Sequence, residues 1–321
     1  MLRTALCDQL GIEYPVILAG MGGVSMHRLV AAVSNAGGLG IIGAATLDAA
    51  ALRDEIHRVR ELTDKPFAVD LLAPIPEMIR PQMQVVFDEG VKIFVAGLAV
   101  PQQFIAEMHE RGMTVIVMIG KVRHAVKAEM AGADVVAAQG TEAGGHTGEI
   151  GGMALVPQVV DAVKIPVIAA GGIADGRGLV AALALGAQGV IVGTRFIATP
   201  EAQAAPAYRE AILRSGEADT VRTRCYTGKP ARTIRNTYNE SWERRQDEIK
   251  PFPLQVMYSA QQGVMDYMGV GQGADPERCF MPAGQGLGLI RDNKPAAEVL
   301  ADIVREAQEV LAALAERHSR D

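Results

Sequence analysis

The residues best suited to proton chemistry lie in one glycine-rich stretch, Thr141-Glu-Ala-Gly-Gly-His-Thr-Gly-Glu149, where His146 stands between Gly145 and Thr147. A flexible loop imidazole with an ordinary pKa near 6.5 exchanges protons with a substrate at neutral pH, so it is a candidate acid or base. Glu142 and Glu149 flank it, placed either to orient and charge the imidazole or to cap a helix and face solvent. The other histidines, His27, His57, His109, His124 and His318, fall within or at the ends of helix-like segments and read as surface or packing residues. Two turns have the composition of a phosphate cradle: Ala170-Gly171-Gly172-Ile173-Ala174-Asp175-Gly176 and Gly193-Thr194-Arg195-Phe196. Glycine lets backbone N–H groups approach phosphate oxygens, the start of a following helix favours the dianion, and Thr194 adds a hydroxyl donor. A third segment, Ala19-Gly20-Met21-Gly22-Gly23, offers uncovered backbone to the polar edge of a flat ring. No His, Cys and carboxylate cluster has metal-ligand spacing.

A scaffold must bring these positions together, and the apolar pattern specifies one. Short apolar runs begin near residues 15, 39, 67, 92, 114, 134, 166 and 189, with helix-like spacing between them, such as Met26, Leu29, Val30 and Val33. Uninterrupted apolar strands alternating with helices need a parallel sheet covered on both faces. Eight such units predict a (β/α)₈ TIM barrel, of α/β class. The alternative, a doubly wound open sheet with a dinucleotide site, lacks its GxGxxG turn. In a barrel the C-terminal strand ends build the active rim. Asp70 at the end of the third strand, Gln139 at the end of the sixth and the three glycine-rich turns then converge, and His146 lies in the longest strand-to-helix connection. A phosphate cradle beside a glycine-lined floor suits a phosphorylated ring cofactor such as FMN, or a nucleotide substrate.

Composition agrees with this architecture. Of 321 residues, 49% are hydrophobic and only 4% aromatic, which excludes disordered and fibrous classes and favours short buried strands against close-packed helices. The barrel is assigned to residues 1–208 and 284–321, with a small, mainly helical insertion at 209–283 after the eighth strand. Arg209 to Lys250 carries ten Lys/Arg against seven Asp/Glu, so this segment is +3 while the rest of the chain is −9. Its basic residues include Arg222, Arg224, Lys229, Arg232 and Arg235, and it forms either a small cap over or beside the C-terminal mouth of the barrel or a solvated helical surface. A final helix with Leu300, Ile303, Val304, Ala307, Leu311 and Leu314 on one face is expected to close the outer ring. The net charge of −6 gives no reason to expect nucleic acid or an anionic membrane as partner. Cys7, Cys225 and Cys279 are too far apart for a disulfide framework, and no apolar run is long enough to span a bilayer, so a cytoplasmic location is expected.

The segments GIEYPVILAGMGG, AAVSNAGGLGIIGA, EAGGHTGE, IPVIAAGGIADGRGLVAALALGAQGVIVGTRF and AGQGLG together resemble the nitronate monooxygenase (2-nitropropane dioxygenase-like) flavoproteins, over about residues 8 to 310. The resemblance implies an FMN-dependent oxidoreductase in which Gly20, Met21 and Gly22 line the flavin, with Asp70 and Gln139 near its ring or ribityl chain and Gly144 and Gly145 beside them. It further implies that Ala170, Gly171, Gly172, Gly193 and Thr194 hold the phosphate and that Gly284, Gln285 and Gly286 close the pocket. His146 matches the family's catalytic histidine, which implies proton handling at the carbon bearing a nitro group, reaction with dioxygen, and release of a carbonyl compound and nitrite. The implied partners are a small-molecule substrate and dioxygen, with a homodimer allowed. The same sequence shape resembles NAD(P)H-dependent quinone reductases and enoyl-thioester reductases acting on acyl carrier protein or coenzyme A substrates, for which NAD(P)H is the co-substrate. IMP dehydrogenases share the GGI and GTRF turns but use a cysteine after the sixth strand, and residues 140–149 contain none. Relatives often carry Asn at the position of Asp70 and an acidic residue at that of Gln139.

Overall fold

Each of the eight apolar runs becomes a strand in the structure of the protein, a computed structural model that describes residues 2–73, 76–266 and 275–318. In chain order the strands are β1 (Val16–Leu18), β2 (Gly40–Gly43), β3 (Phe67–Leu72), β4 (Ile93–Gly97), β5 (Thr114–Ile119), β6 (Val135–Gln139), a two-residue β7 (Gly145–His146), β8 (Val167–Ala170) and β9 (Gly189–Val192). All but β7 form one parallel sheet in the order β1-β9-β8-β6-β5-β4-β3-β2. It closes on itself where the Leu39 N–H donates to the Val16 carbonyl at 3.1 Å and the Leu18 N–H donates to the Leu39 carbonyl at 2.9 Å. The result is the (β/α)₈ barrel expected from the pattern.

The continuous apolar runs follow from burial on both faces. Ile17, Ile41, Ile93, Val95, Ile116, Ile168 and Ile191 point into the barrel, while Val16, Leu18, Ile42, Phe94 and Val117 pack outward beneath the helices. A helix absent from the sequence reading, Ala5–Leu10, plugs the N-terminal end: Leu6, Cys7 and Leu10 join the inner layer. Cys7 is thus a packing residue, and all three cysteines are free and buried. The last helix, Ala296–His318, packs against the helices His27–Asn35 and Gly176–Ala184 and completes the outer ring. Its expected apolar stripe is shorter than the sequence suggests. Leu300, Ile303, Val304 and Ala307 are buried, but Leu311 and Leu314 are 41% and 43% exposed because the helix runs past its packing partners.

Beside its helices Thr237–Ser241 and Leu254–Gln261, the segment after the barrel carries a hairpin, β10 (Thr220–Thr223) and β11 (Ala231–Ile234). Residues 267–274 of the assigned insertion lie outside the described residues. This segment has its own small core of Cys225, Tyr226, Trp242, Val264 and Phe280, with ring centroids of neighbouring aromatics 4.8 to 6.2 Å apart. The free edge of β11 pairs antiparallel with β7, so the insertion is joined to the loop that carries His146. Among the described residues no helix is long and apolar enough to cross a membrane.

Candidate active site

His146 is held on a strand edge rather than in a loose loop, which corrects the expectation of a flexible imidazole. Ala231 of β11 lies opposite His146, and Arg232 lies opposite Gly145. The Arg232 guanidinium donates to the Thr141 carbonyl at 2.9 Å, the Thr147 hydroxyl to the Gly140 carbonyl at 2.9 Å, and the Gln285 N–H to the Glu142 carbonyl at 2.8 Å. The flanking carboxylates take the structural roles. Glu142 accepts from the Gly152 N–H at 2.9 Å, at the start of the helix Gly152–Ala162, and the exposed Glu149 faces Arg222 at 3.4 Å.

The imidazole Nε2 lies 3.0 Å from the Thr227 hydroxyl, which itself donates to the Lys229 carbonyl at 3.0 Å. With that hydroxyl proton already committed, the network assigns the proton of His146 to Nε2 and leaves a lone pair on Nδ1. Burial, with the Lys229 ammonium as second cause, pushes the imidazole down to about 4, so it is neutral at physiological pH. His146 and Gln139 line one cavity of about 480 Å³ together with Lys121, His124, Lys127 and Lys229. This volume is ordinary for a small-molecule site.

The glycine-rich turns gather on the same rim, since β1, β9, β8 and β6 are neighbours and the Gly20, Gly193, Gly171 and Gly140 positions follow their C-terminal ends. Two consecutive left-handed residues, Gly171 at φ +102 and Gly172 at φ +73, turn the chain after β8 in a way side chains oppose. Gly284 donates its N–H to the Thr194 hydroxyl at 2.9 Å, which leaves the Thr194 proton for another acceptor. Gly286 approaches Gly172, and Gly144 approaches Ala283 and Gly284, so the 284–286 segment joins the turns after β6 and β8. Farther round, the Cα of Gly20 lies against the Asp70 carboxyl, where a Cβ would overlap it, and Met21 reaches Gly193. Asp70 Oδ1 is buried with no hydrogen-bond partner among the described residues, and burial lifts this carboxyl to about 7. A solvent-excluded polar atom beside bare backbone fits the polar edge of a flavin ring, and the paired glycine turns fit its phosphate.

The structure therefore brings Gln139 and His146 into one cavity and the glycine turns, Met21 and Asp70 onto one rim. It does not bring the insertion arginines to that cavity. Arg222 and Arg235 pair with Glu149 and Glu243, Arg224 donates to the Gly228 carbonyl, and Arg232 braces the His146 loop; of the basic residues singled out there, only Lys229 lines the cavity. Lys121, His124 and Lys127 were missed or read as surface. The available signal was the run Lys121-Val-Arg-His124-Ala-Val-Lys127, basic at intervals of three directly after the fifth strand.

Comparison with known proteins agrees with this geometry. The nitronate monooxygenase family model matches residues 3–306. A probable nitronate monooxygenase of Staphylococcus saprophyticus is 40% identical over 300 residues, covering 79% of this chain and 84% of the relative. An octahydro-indene-carboxyl-CoA dehydrogenase of Mycobacterium tuberculosis is 44% identical over 245 residues, covering 75% of this chain and 69% of the relative. The structure of FabK from Thermotoga maritima superposes with a TM-score of 0.91 at 39% identity, covering 99% of this chain and 100% of that one. A match of this extent, on a barrel whose rim fits a flavin, makes the chain a member of the nitronate monooxygenase family and an FMN-dependent oxidoreductase.

Proposed function

We propose that the protein oxidises alkyl nitronates with dioxygen to a carbonyl compound and nitrite, with His146 handling the substrate proton. The observation that carries this reading is a neutral imidazole on the wall of a cavity whose ionisable lining groups among the described residues are all basic. When bound, FMN supplies the electron acceptor that couples substrate oxidation to dioxygen. Gly20, Met21, Gly22, Asp70, Gln139, Gly144 and Gly145 would border its ring and ribityl chain; Ala170, Gly171, Gly172, Gly193 and Thr194 would take its phosphate, and Gly284, Gln285 and Gly286 would close over it. A nitronate is an anion, so Lys229 beside His146 favours its entry. The charge it brings lifts the imidazole from about 4 toward neutrality, which lets Nδ1 accept or return a proton. Before that charge arrives the imidazole is a weak base, so neutral nitroalkanes should react more slowly than their nitronates.

Nitrite release by His146→Ala tests the assignment. The variant should keep its flavin and lose about a hundredfold or more in turnover of a neutral nitroalkane, with a smaller loss on the pre-ionised nitronate. Full turnover of the neutral substrate would overturn the proton-handling role.

A second reading is favoured by the length of the cationic wall, which exceeds what a nitro group can cover. It is an NAD(P)H-dependent reduction of a quinone or an enoyl thioester. Its further support is the similarity to FabK and to a relative named for a CoA substrate.

A further inference from the structure

The helix Val122–Met130 begins just after Lys121 and carries His124 and Lys127 on the same face, since residues three apart on a helix are neighbours. All three line the cavity that contains His146, and Lys229 lines it from the insertion. No carboxylate lines it among the described residues. None of the four enters an ion pair among the described residues, although Arg222 and Arg235 nearby in sequence to Lys229 are paired with glutamates. Lys229 instead rests over the Phe252 ring, its ammonium 4.8 Å from the centroid. Burial and the neighbouring Arg123, Lys121 and Lys127 together hold His124 below its ordinary value.

Six residues of helix rise about 9 Å, so Lys121 and Lys127 mark the ends of a row of that length. Like charges in such a row repel, and the arrangement becomes favourable when an extended anion covers it. The two oxygens of a nitronate reach one cation, whereas a diphosphate followed by a phosphate matches the whole row. We propose that Lys121, His124, Lys127 and Lys229 bind the phosphate groups of an organic co-substrate whose reactive end lies at His146. Two sources share this chemistry: a phosphorylated dinucleotide hydride donor of the NADPH type and a coenzyme A thioester. The proposal rests on the reductive reading given above.

Calorimetric titration of the flavin-loaded protein tests it with inorganic pyrophosphate as the probe. The wild type should bind pyrophosphate, and the double variant Lys121→Gln/Lys127→Gln should bind it about tenfold or more weakly. Lys229→Gln, on the other wall, should weaken it as well. Flavin content and melting temperature should stay unchanged, because these side chains carry no packing of the barrel. NADPH and coenzyme A are then titrated, and the one whose affinity falls in parallel with pyrophosphate is the source. Equal pyrophosphate affinity in wild type and variants, no binding by the wild type, or a loss shared by neither NADPH nor coenzyme A overturns the proposal. Rapid anaerobic bleaching by NADPH combined with unchanged affinities removes the subsite and keeps the reductive reading. Lost affinity in the variants without any bleaching does the reverse.

Discussion

Two titratable groups at the rim are driven from their usual ranges in opposite directions by the same cause. Burial lifts Asp70 to about 7 and lowers His146 to about 4, because a low-dielectric setting disfavours whichever form is charged. Their effects on stability oppose each other. Asp70 has a folded value above its unfolded value of about 3.9, so folding holds a proton that the unfolded chain releases, and stability is lost as pH rises from about 4 to 7. His146 has a folded value below its unfolded value of about 6.5, so its contribution is present above that pH and lost as pH falls toward 4. Asp70→Asn removes the first slope alone. In flavin-free protein, denaturant unfolding should show the variant gaining on the wild type as pH rises from about 4 to 7, by about 4 kcal/mol at most. A difference that does not change with pH would contradict a carboxyl kept neutral by burial. Position made both residues legible, since Asp70 sits near a strand end and His146 in the longest connection. Their altered acidity was not legible, because it depends on Gly20, Lys229 and the insertion closing around them.

At the scale of elements, the insertion works as the support for His146. The strand β11 pairs with β7, Thr227 fixes the imidazole, and the Tyr226, Trp242 and Phe280 cluster holds that hairpin in place. Trp242→Ala should cost about 3 to 5 kcal/mol within this small core. The consequence is local opening of the insertion while the barrel stays folded. The expected outcome is normal flavin content, an unchanged main unfolding transition, and turnover reduced about a hundredfold through misplacement of His146. Loss of flavin together with activity would show that the insertion supports the whole rim instead. The eight barrel strands were readable because burial on both faces leaves an unbroken apolar run, as in PVILAG and VIVGT. The hairpin was not, since TVRT and ARTI hold only one and two apolar residues, without a period-2 alternation, and a two-residue strand such as Gly145–His146 has no period at all. In the basic row at 121–127 only His124 drew a reading, as a surface or packing residue, for a related reason: which helix face fronts a cavity is decided by tertiary packing.

For the whole molecule, the fold separates what makes the chain stable from what makes it reactive. The concentric apolar layers, together with the plug formed by Leu6, Cys7 and Leu10, lie inside the barrel, around it and at its N-terminal end, whereas the candidate site residues gather at the C-terminal rim. Substitutions at the rim should therefore change chemistry with small effects on overall stability, Asp70 excepted. The central claim is that electrons pass from an alkyl nitronate to FMN held on this rim, with His146 beside them. The most direct measurement is the visible spectrum of flavin-loaded protein, mixed anaerobically with an alkyl nitronate and, in parallel, with NADH and NADPH. The account predicts loss of the oxidised flavin bands with the nitronate, at a rate no slower than turnover. Flavin that keeps its oxidised spectrum with the nitronate, yet bleaches rapidly with NADH or NADPH, would contradict it and leave the reductase reading in its place.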